Sequence, residues 1–232
     1  MTPAHTVPPG ARPPRRAVGR PPRFAAGDAV AAALRAGIMD FTMSGVAEEL
    51  GVTAPALYRL FPGRRDLVDA CLRHIVTEFP AGATAASETM TWREVLDTVA
   101  EFDWRLFTRY PGLDRTFGTF SGLLRRIWPD SHRILDRLTA LGYTRQQVVF
   151  AVSHISALTI AASARLHRRA AEMNRPAGAD PAPRTFRASG VEITGTGDLT
   201  AASRRHWRQC VDLFLDQLAT LDGDWPEQSV SD

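Results

Sequence analysis

The sequence predicts an all-α protein with an N-terminal three-helix domain and a larger helical C-terminal domain. Two observations lead to this prediction. Apolar residues recur at helical spacing along most of the 232 residues, and glycines, prolines and capping residues separate these segments. Strand-like alternation is absent from the sequence apart from a short run at residues 191–194. The chain is long enough for one large or two modest domains with a substantial core.

The composition is that of a globular protein, with 44% hydrophobic and 8% aromatic residues. No run approaches the roughly 18 uninterrupted apolar residues of a membrane-spanning helix, and the N-terminus lacks the apolar core of a signal peptide. Cys71 and Cys210 lie far apart, without CxxC or histidine spacing, and are expected to be reduced, buried thiols. We therefore expect a cytoplasmic protein with no membrane partner, no metal and no cofactor.

Residues 1–25 are predicted to form a disordered basic arm. All 28 basic residues of the chain are Arg, and residues 1–27 contain five of them and no acidic residue, while the net charge is only +3. Positive charge distributed in this way fits a polyanionic partner. Arg20 and Arg23 lie closest to the first helix and are expected to enter a narrow minor groove. The alternative is a solvated, solubilising tail.

Residues 42–67 predict two short helices joined by a tight turn and followed by the start of another helix. Val46, Ala47 and Leu50 form the apolar face of the first, and Thr42 is placed to cap it. Gly51 ends this helix, because the sharp turn requires a residue that takes a positive φ at little cost.

The second of these helices is expected to bury Leu57 and Phe61. Thr53 is placed to cap it, and Pro55 lies in its first turn, where a missing N–H is tolerated. The outward face is small at its N-terminal end and basic or hydroxylated beyond, so it can enter a major groove without clashing. Its members are Ala54, Pro55, Ala56, Tyr58 and Arg59.

This stretch resembles the DNA-binding domain of the TetR family of bacterial transcriptional regulators. The matching residues are Thr42, Val46, Ala47, Gly51, Val52, Thr53, Leu57, Tyr58, Phe61, Arg64 and Leu67. The resemblance implies a helix-turn-helix that holds phosphates, with Arg59 on a phosphate or a guanine edge. The residues expected to contact DNA here are Thr42, Ser44, Thr53, Ala54, Pro55, Ala56, Tyr58, Arg59 and Arg64. Ser44 departs from the family, since many relatives carry Arg nearby. The alternative is an ordinary helical hairpin.

The remaining chain is predicted to be helical. Helices are expected at residues 28–36, 64–79, 92–110, 113–128, 131–141, 145–171 and 200–221. The predicted domains are the DNA-binding domain at 26–75 and a helical effector-binding and dimerisation domain at 76–222. A segment dense in Pro, Gly and Ala, residues 174–198, is expected to be a mobile loop, and residues 223–232 a frayed tail.

Two helices carry apolar residues at alternating spacings of four and three, which is typical of a knobs-into-holes seam. The residues predicted to form a dimer interface are Val152, Ile155, Thr159, Trp207, Val211, Phe214 and Leu218. The resemblance supports a homodimer, because family members pair through their last long helices and a palindromic operator requires a two-fold protein. The alternative is that both seams face the core of their own subunit.

An effector pocket is predicted in the helical domain, among aromatic side chains that suit an apolar or planar ligand. Its expected residues are Phe102, Asp103, Phe107, Phe117, Phe120, Trp128 and His154. Asp103 among apolar neighbours needs a partner, which could be a hydroxyl, an Arg such as Arg125, or a group of the ligand. The alternative is ordinary core packing.

No catalytic constellation is present in the sequence: it has no GxSxG, no Walker loop and no HExxH. The sequence thus predicts a non-enzymatic, homodimeric repressor that binds a palindromic operator and is released by a small-molecule effector. An effector-independent DNA-binding activator or architectural protein is the alternative.

Overall fold

The computed structural model describes residues 24–79, 87–116, 131–174, 186–188, 191–193 and 196–227. Within these ranges the chain is helical except for one short strand pair, so the predicted all-α fold class is confirmed. Of the predicted basic arm at residues 1–25, residues 1–23 with Arg20 and Arg23 lie outside the described residues. Phe24 is buried and Ala25 is the N-cap residue of the first helix, so the predicted disorder is wrong for these two residues. Three predicted pocket residues also lie outside the described residues, and these are Phe117, Phe120 and Trp128.

Three helices form the N-terminal part of the fold, residues 24–63, which we call the head. They are α1 (Ala26–Ala36), α2 (Met43–Glu49) and α3 (Ala54–Leu60). α1 begins before its predicted start at residue 28, and the Asp28 carboxylate accepts a 2.7 Å hydrogen bond from the N–H of Ala25. This bond satisfies a backbone donor that a helix N-terminus otherwise leaves open.

Helix α4 (Arg64–Glu78) joins the head to the rest of the chain. Its apolar stripe is buried as its helical spacing predicts, and the stripe consists of Leu67, Val68, Cys71, Leu72 and Ile75. The Cys71 thiol lies 3.9 Å from the carbonyl oxygen of Val30 in α1, and burial raises the pKa of this thiol to about 12. The thiol therefore stays protonated and packs as a small apolar group.

The larger C-terminal part, residues 87–227, we call the body. Its elements are α5 (Trp92–Arg109), a 3-10 turn (Leu113–Thr116), α6 (Ser131–Ala140), α7 (Arg145–Met173) and α8 (Thr196–Thr220). Thr91 and Thr144 cap α5 and α7, and each forms a reciprocal capping box with the third residue of its helix, Glu94 or Gln147.

Helix α7 is the central helix of the body and packs against both α5 and α8. By length and composition it is also the one helix in the described ranges that could cross a membrane. Its buried polar side chains have partners inside the protein: the Thr159 hydroxyl donates to the carbonyl of Ile155, and that of Ser163 donates to Ile160. These bonds satisfy polar groups inside a packed helical core.

The segment predicted as a mobile loop contains regular structure. β1 (Phe186–Ala188) and β2 (Val191–Ile193) pair antiparallel, with Phe186 opposite Ile193. α8 then begins at Thr196, earlier than the predicted residue 200. Of the predicted helix at 113–128, the described part is the 3-10 turn, and residues 117–130 lie outside the described ranges.

The expectation of a frayed tail is wrong for its described part, residues 223–227. Trp225 is buried and stacks on Tyr143 with ring centroids 3.9 Å apart, while its Nε1–H donates to the carbonyl of Leu218. Gln147 donates from Nε2 to the carbonyls of Gly223 and Trp225. A large aromatic ring therefore fixes this segment to the end of the helical bundle.

The predicted dimer seam faces the core of its own chain at most positions. Five of its seven side chains are buried in the single chain, and these are Ile155, Thr159, Trp207, Val211 and Leu218. The indole Nε1–H of Trp207 donates a 2.9 Å hydrogen bond to the Thr159 hydroxyl, so the two predicted seams meet each other within the chain. Already covered, these five side chains have no surface to offer to a second copy. Val152 and Phe214 are the two that stay half-exposed.

Candidate nucleic-acid interface and the cleft behind it

The turn between α2 and α3 has the backbone geometry that its sequence predicts. Gly51 takes a φ of +64°, in the left-handed region that glycine enters at least cost. The Thr42 hydroxyl accepts a 3.0 Å hydrogen bond from the N–H of Gly45 and so caps α2. Thr53 occupies the N-cap position of α3, but its side chain makes no capping bond. The predicted cap at Thr53 is therefore wrong, and its exposed hydroxyl faces solvent.

Helix α3 buries one face and presents the other to solvent. Leu57 is fully buried and Phe61, just beyond the helix, is 6% exposed. On the outer face Tyr58 is 48% exposed, and Pro55 and Arg59 are exposed as well. Ala54 and Ala56 are half-buried, and Ser44 on α2 is exposed. The result is a face that is small at its N-terminal end and carries a hydroxyl and a guanidinium beyond it.

Arg64 has a structural role that its sequence position does not reveal. Its Nε and Nη2 donate to the carbonyls of Phe41 (3.1 Å) and Met39 (2.9 Å), and its guanidinium lies 4.7 Å from the centroid of the Phe41 ring. Two of its five N–H donors thus hold the α1–α2 connection against the start of α4. The side chain remains exposed to solvent beside that connection.

A cavity of about 290 Å³ lies beside the N-terminal end of α3. Phe24, where the described fold begins, lines it together with Thr53, Ala56 and Arg59. Residues 1–23, which make up most of the predicted basic arm, therefore join the fold at Phe24, beside the exposed face of α3.

The predicted effector residues of α5 lie in the core rather than in an open pocket. Phe102, Asp103 and Phe107 are at most 3% exposed. Asp103 Oδ2 accepts a 2.7 Å hydrogen bond from the Ser156 hydroxyl on α7, so a hydroxyl is the partner that this carboxyl needs. Burial raises the pKa of Asp103 to about 7, because the charged form loses its hydration and gains a single described hydrogen bond.

His154 is separated from these residues and lies on the outer face of α7 and α8. It is exposed, and its ring stacks on Phe214 with centroids 4.3 Å apart and on Phe150 at 5.8 Å. Leu213, the residue before Phe214 on α8, is 70% exposed. The predicted grouping of His154 with Phe102, Asp103 and Phe107 is therefore wrong.

The body has an open cleft that the sequence did not predict. It has a volume of about 740 Å³ and lies where the C-terminal ends of α4, α5 and α7 meet the start of α8. Its described lining residues are Glu78, Phe79, Trp104, Arg105, Thr108, Arg109, Leu166, His167, Ala170, Thr200 and Arg204. The one sign of this cleft in the sequence is the pair Arg105 and Arg109, one turn apart on α5. The lining residues from the other three helices are brought beside this pair by the packing of the helices. Among described residues, no group of three or more His, Cys, Asp or Glu could hold a metal ion.

Two contacts tie the head to the segment that follows α5. The N–H of Ile38 donates to the carbonyl of Pro111, and Arg115 forms an ion pair with Asp40. Gly112 lies between them with a φ of +81°. The segment that follows the cleft-lining part of α5 thus rests on the α1–α2 connection.

Residues 28–71 match the family model described as bacterial regulatory proteins of the tetR family. A curated relative, the HTH-type transcriptional repressor DrrR1 of Streptomyces coeruleorubidus, is 27% identical over 137 residues, which are 59% of this chain. The chain spans about half of that relative, with 50% of its length covered.

Two solved structures are similar to this chain. The crystal structure of TetR from Acinetobacter baumannii AYE is similar with a TM-score of 0.52 at 20% identity, covering 86% of this chain and 97% of that one. A variant of that protein in complex with minocycline gives a TM-score of 0.49 at 19% identity, covering 84% and 98%. At 20% identity the first likeness shows the fold alone.

Proposed function

Since the chain belongs to the TetR family by its helix-turn-helix domain at residues 28–71, we propose that it is a homodimeric transcriptional repressor. It acts in the cytoplasm on a palindromic operator and releases the DNA when a small-molecule effector binds the body. The observation that carries this proposal is the exposed, sterically small and basic face of α3, held by the Gly51 turn.

The DNA-reading part of the proposal is supported by what surrounds α3. A helix that begins with small residues can lie with its N-terminal end near the base edges of a major groove. The exposed hydroxyls of Thr42 and Thr53, with those of Ser44 and Tyr58, are suitable phosphate ligands, and Arg59 can reach a phosphate or a guanine. The basic arm is attached beside this face at Phe24, within reach of the adjacent minor groove.

The proposed dimer is supported by the outer face of α7 and α8. This face does not include the five residues of the predicted seam that are buried inside the chain. Phe150, His154 and Phe214 form an aromatic cluster between α7 and α8, and Leu213, next to Phe214 in the sequence, has 70% of its surface exposed. Exposed apolar surface of this kind marks an association site. Pairing two copies through this face buries it and supplies the two-fold symmetry that a palindrome requires.

Effector control is supported by the two connections between body and head. α4 runs from the α1–α2 connection, held by Arg64, to the cleft at Glu78, and its 15 residues span about 22 Å. The end of α5 reaches the same connection through Pro111. A ligand can shift DNA binding only by preferring one arrangement of these helices. The effector-independent activator or architectural protein remains the second candidate, and it predicts that no cleft ligand alters DNA binding.

The test is selection of bound DNA from a random pool, with the full chain and with a Tyr58→Ala, Arg59→Ala double variant. Both side chains are exposed, so the double variant should fold normally. We expect the full chain to enrich a palindrome with half-sites about 10 bp apart or at a multiple of that spacing. The double variant should enrich nothing. Enrichment of a site without a repeated half-site would contradict the proposed dimer. Equal enrichment by the double variant would show that α3 is not the DNA-recognition helix.

A further inference from the structure

The cleft in the body carries an excess of positive charge. Among its described lining residues are three Arg, Arg105, Arg109 and Arg204, and a single carboxylate, Glu78. The Tyr110 hydroxyl donates a hydrogen bond to Oε2 of that carboxylate, and Nε2 of His74 lies 3.3 Å from its Oε1. The hydrogen bond from Tyr110 lowers the pKa of Glu78. Its charge is therefore already engaged by neighbours within the protein.

The three guanidinium groups differ in how far the protein neutralises them. Arg204 pairs with Glu101 at 2.7 Å, and Arg109 lies 5.8 Å from the centroid of the Tyr110 ring. Arg105 is exposed and forms no hydrogen bond or ion pair with any described residue. A guanidinium with a free planar fork of donors is suited to bidentate recognition of a carboxylate or sulfonate.

The rest of the cleft is mainly apolar. Phe79, Trp104, Leu166 and Ala170 form its walls, and about 740 Å³ lies within the range of cavities that hold small organic ligands. The polar groups between them are partly used by the protein, since the Thr108 hydroxyl donates to the carbonyl of Trp104 and His167 Nε2–H to that of Phe107. Apolar walls with one unused cation select an amphipathic ligand.

We propose that this cleft binds an organic anion with a flat apolar body, whose acidic group is held by Arg105. The apolar body lies against Phe79, Leu166 and Ala170. That this ligand acts as the effector of the repressor rests on the proposed function. That it binds the cleft does not. Because the cleft is lined by the end of α4 and by the last turns of α5, its occupant touches both helices that reach the head.

The experiment compares two fluorescent probes of nearly the same shape, the anionic 1-anilinonaphthalene-8-sulfonate and the neutral N-phenyl-1-naphthylamine. Each is titrated into the full chain and into Arg105→Ala. The matched control is Arg145→Ala, which removes an exposed Arg at the opposite end of α7. We expect Arg105→Ala to weaken binding of the anionic probe about tenfold, because it removes a charge-assisted hydrogen bond. It should leave the affinity for the neutral probe within about twofold of the parent. Arg145→Ala should change the affinity for neither probe.

A second variant locates the probe. Ala170→Trp fills the cleft and should abolish binding of both probes. Equal weakening of both probes in Arg105→Ala, or an anionic probe unaffected by it, would overturn the proposal. Binding of both probes to Ala170→Trp at full affinity would overturn it as well. None of these measurements uses DNA. A negative result here therefore rejects the proposed cleft ligand, whereas failure to select a palindrome rejects the proposed function.

Discussion

The backbone N–H of Ile38 donates a 3.2 Å hydrogen bond to the carbonyl of Pro111, and this bond joins the head to the body. Ile38 is buried, so the bond is shielded from water. The ion pair of Arg115 with Asp40 lies beside it. The head is thus tied to the segment that follows α5 as well as to α4.

Gly112→Ala should disturb this junction. Gly112 has a φ of +81°, and a Cβ there would lie 2.9 Å from Nη2 of Arg115 and 3.5 Å from Cβ of Met39. The left-handed backbone alone costs an alanine about 1–2 kcal/mol. The matched control is Gly142→Ala, with a φ of +100° and nothing within 4 Å of its Cβ. Both variants should lose stability in urea unfolding, but only Gly112→Ala should also lose DNA affinity. Equal DNA affinity in the two would show that the junction does not couple body to head.

Arg64→Ala should lower stability as well as DNA affinity. It removes the hydrogen bonds to the carbonyls of Met39 and Phe41, which at an exposed site should cost about 1 kcal/mol. Loss of a phosphate contact would in addition reduce the salt dependence of DNA binding by about one charge. Arg65→Ala, at the next position and also exposed, is the control for charge alone. If the two variants unfold at the same urea concentration, the Arg64 bonds contribute nothing to stability.

Asp103→Asn should change how stability depends on pH. The unfolded chain releases the Asp103 proton near its ordinary pKa of 3.8, whereas the folded chain keeps it to about pH 7. The folded state therefore binds more protons between these values, and this group's contribution to stability is lost as pH rises through the folded pKa. The loss is at most about 1.4 kcal/mol per pH unit.

Urea unfolding of Asp103→Asn and of the parent, from pH 4.5 to 7.5, measures this difference. We expect the parent to lose stability relative to the variant as pH rises across that window. Ser156→Ala, which removes the hydroxyl that donates to Asp103, should widen the window towards higher pH. Parallel pH profiles of parent and Asp103→Asn would mean that the buried carboxyl is ionised at all these values.

Leu213→Glu should convert the proposed dimer to a monomer. Leu213 lies beside Phe214 on the outer face of α8 with 70% of its surface exposed, so the substitution does not disturb the core of one chain. Across a two-fold axis it would bury two uncompensated carboxylates, which costs several kcal/mol. Leu141→Glu, at another exposed Leu after α6, is the control and should stay dimeric. Light scattering gives the mass, and a dimeric Leu213→Glu would move the interface to another face.

The amino-acid sequence by itself determined the head. There the signals are local: helical spacing puts Val46, Ala47 and Leu57 inside, and Thr42 is a helix cap. A glycine is needed where the turn requires a positive φ, as Gly51 shows. Each of these follows from interactions within a few residues, so the pattern predicts them without knowledge of the rest of the fold.

Tertiary structure alone decided what covers each apolar face. The period of a helix tells which side chains share a face, but the same face can meet a second copy, a ligand or another helix of its own chain. Thus Trp207, in one predicted seam, donates a hydrogen bond to Thr159 in the other seam of the same chain. Asp103, predicted to contact an effector, accepts a hydrogen bond from Ser156. The cleft around Arg105 draws on four helices, and Trp225 fixes a tail that its polar surroundings predicted to be loose. Contacts between distant segments of the chain are set by how the helices pack, which no local pattern records.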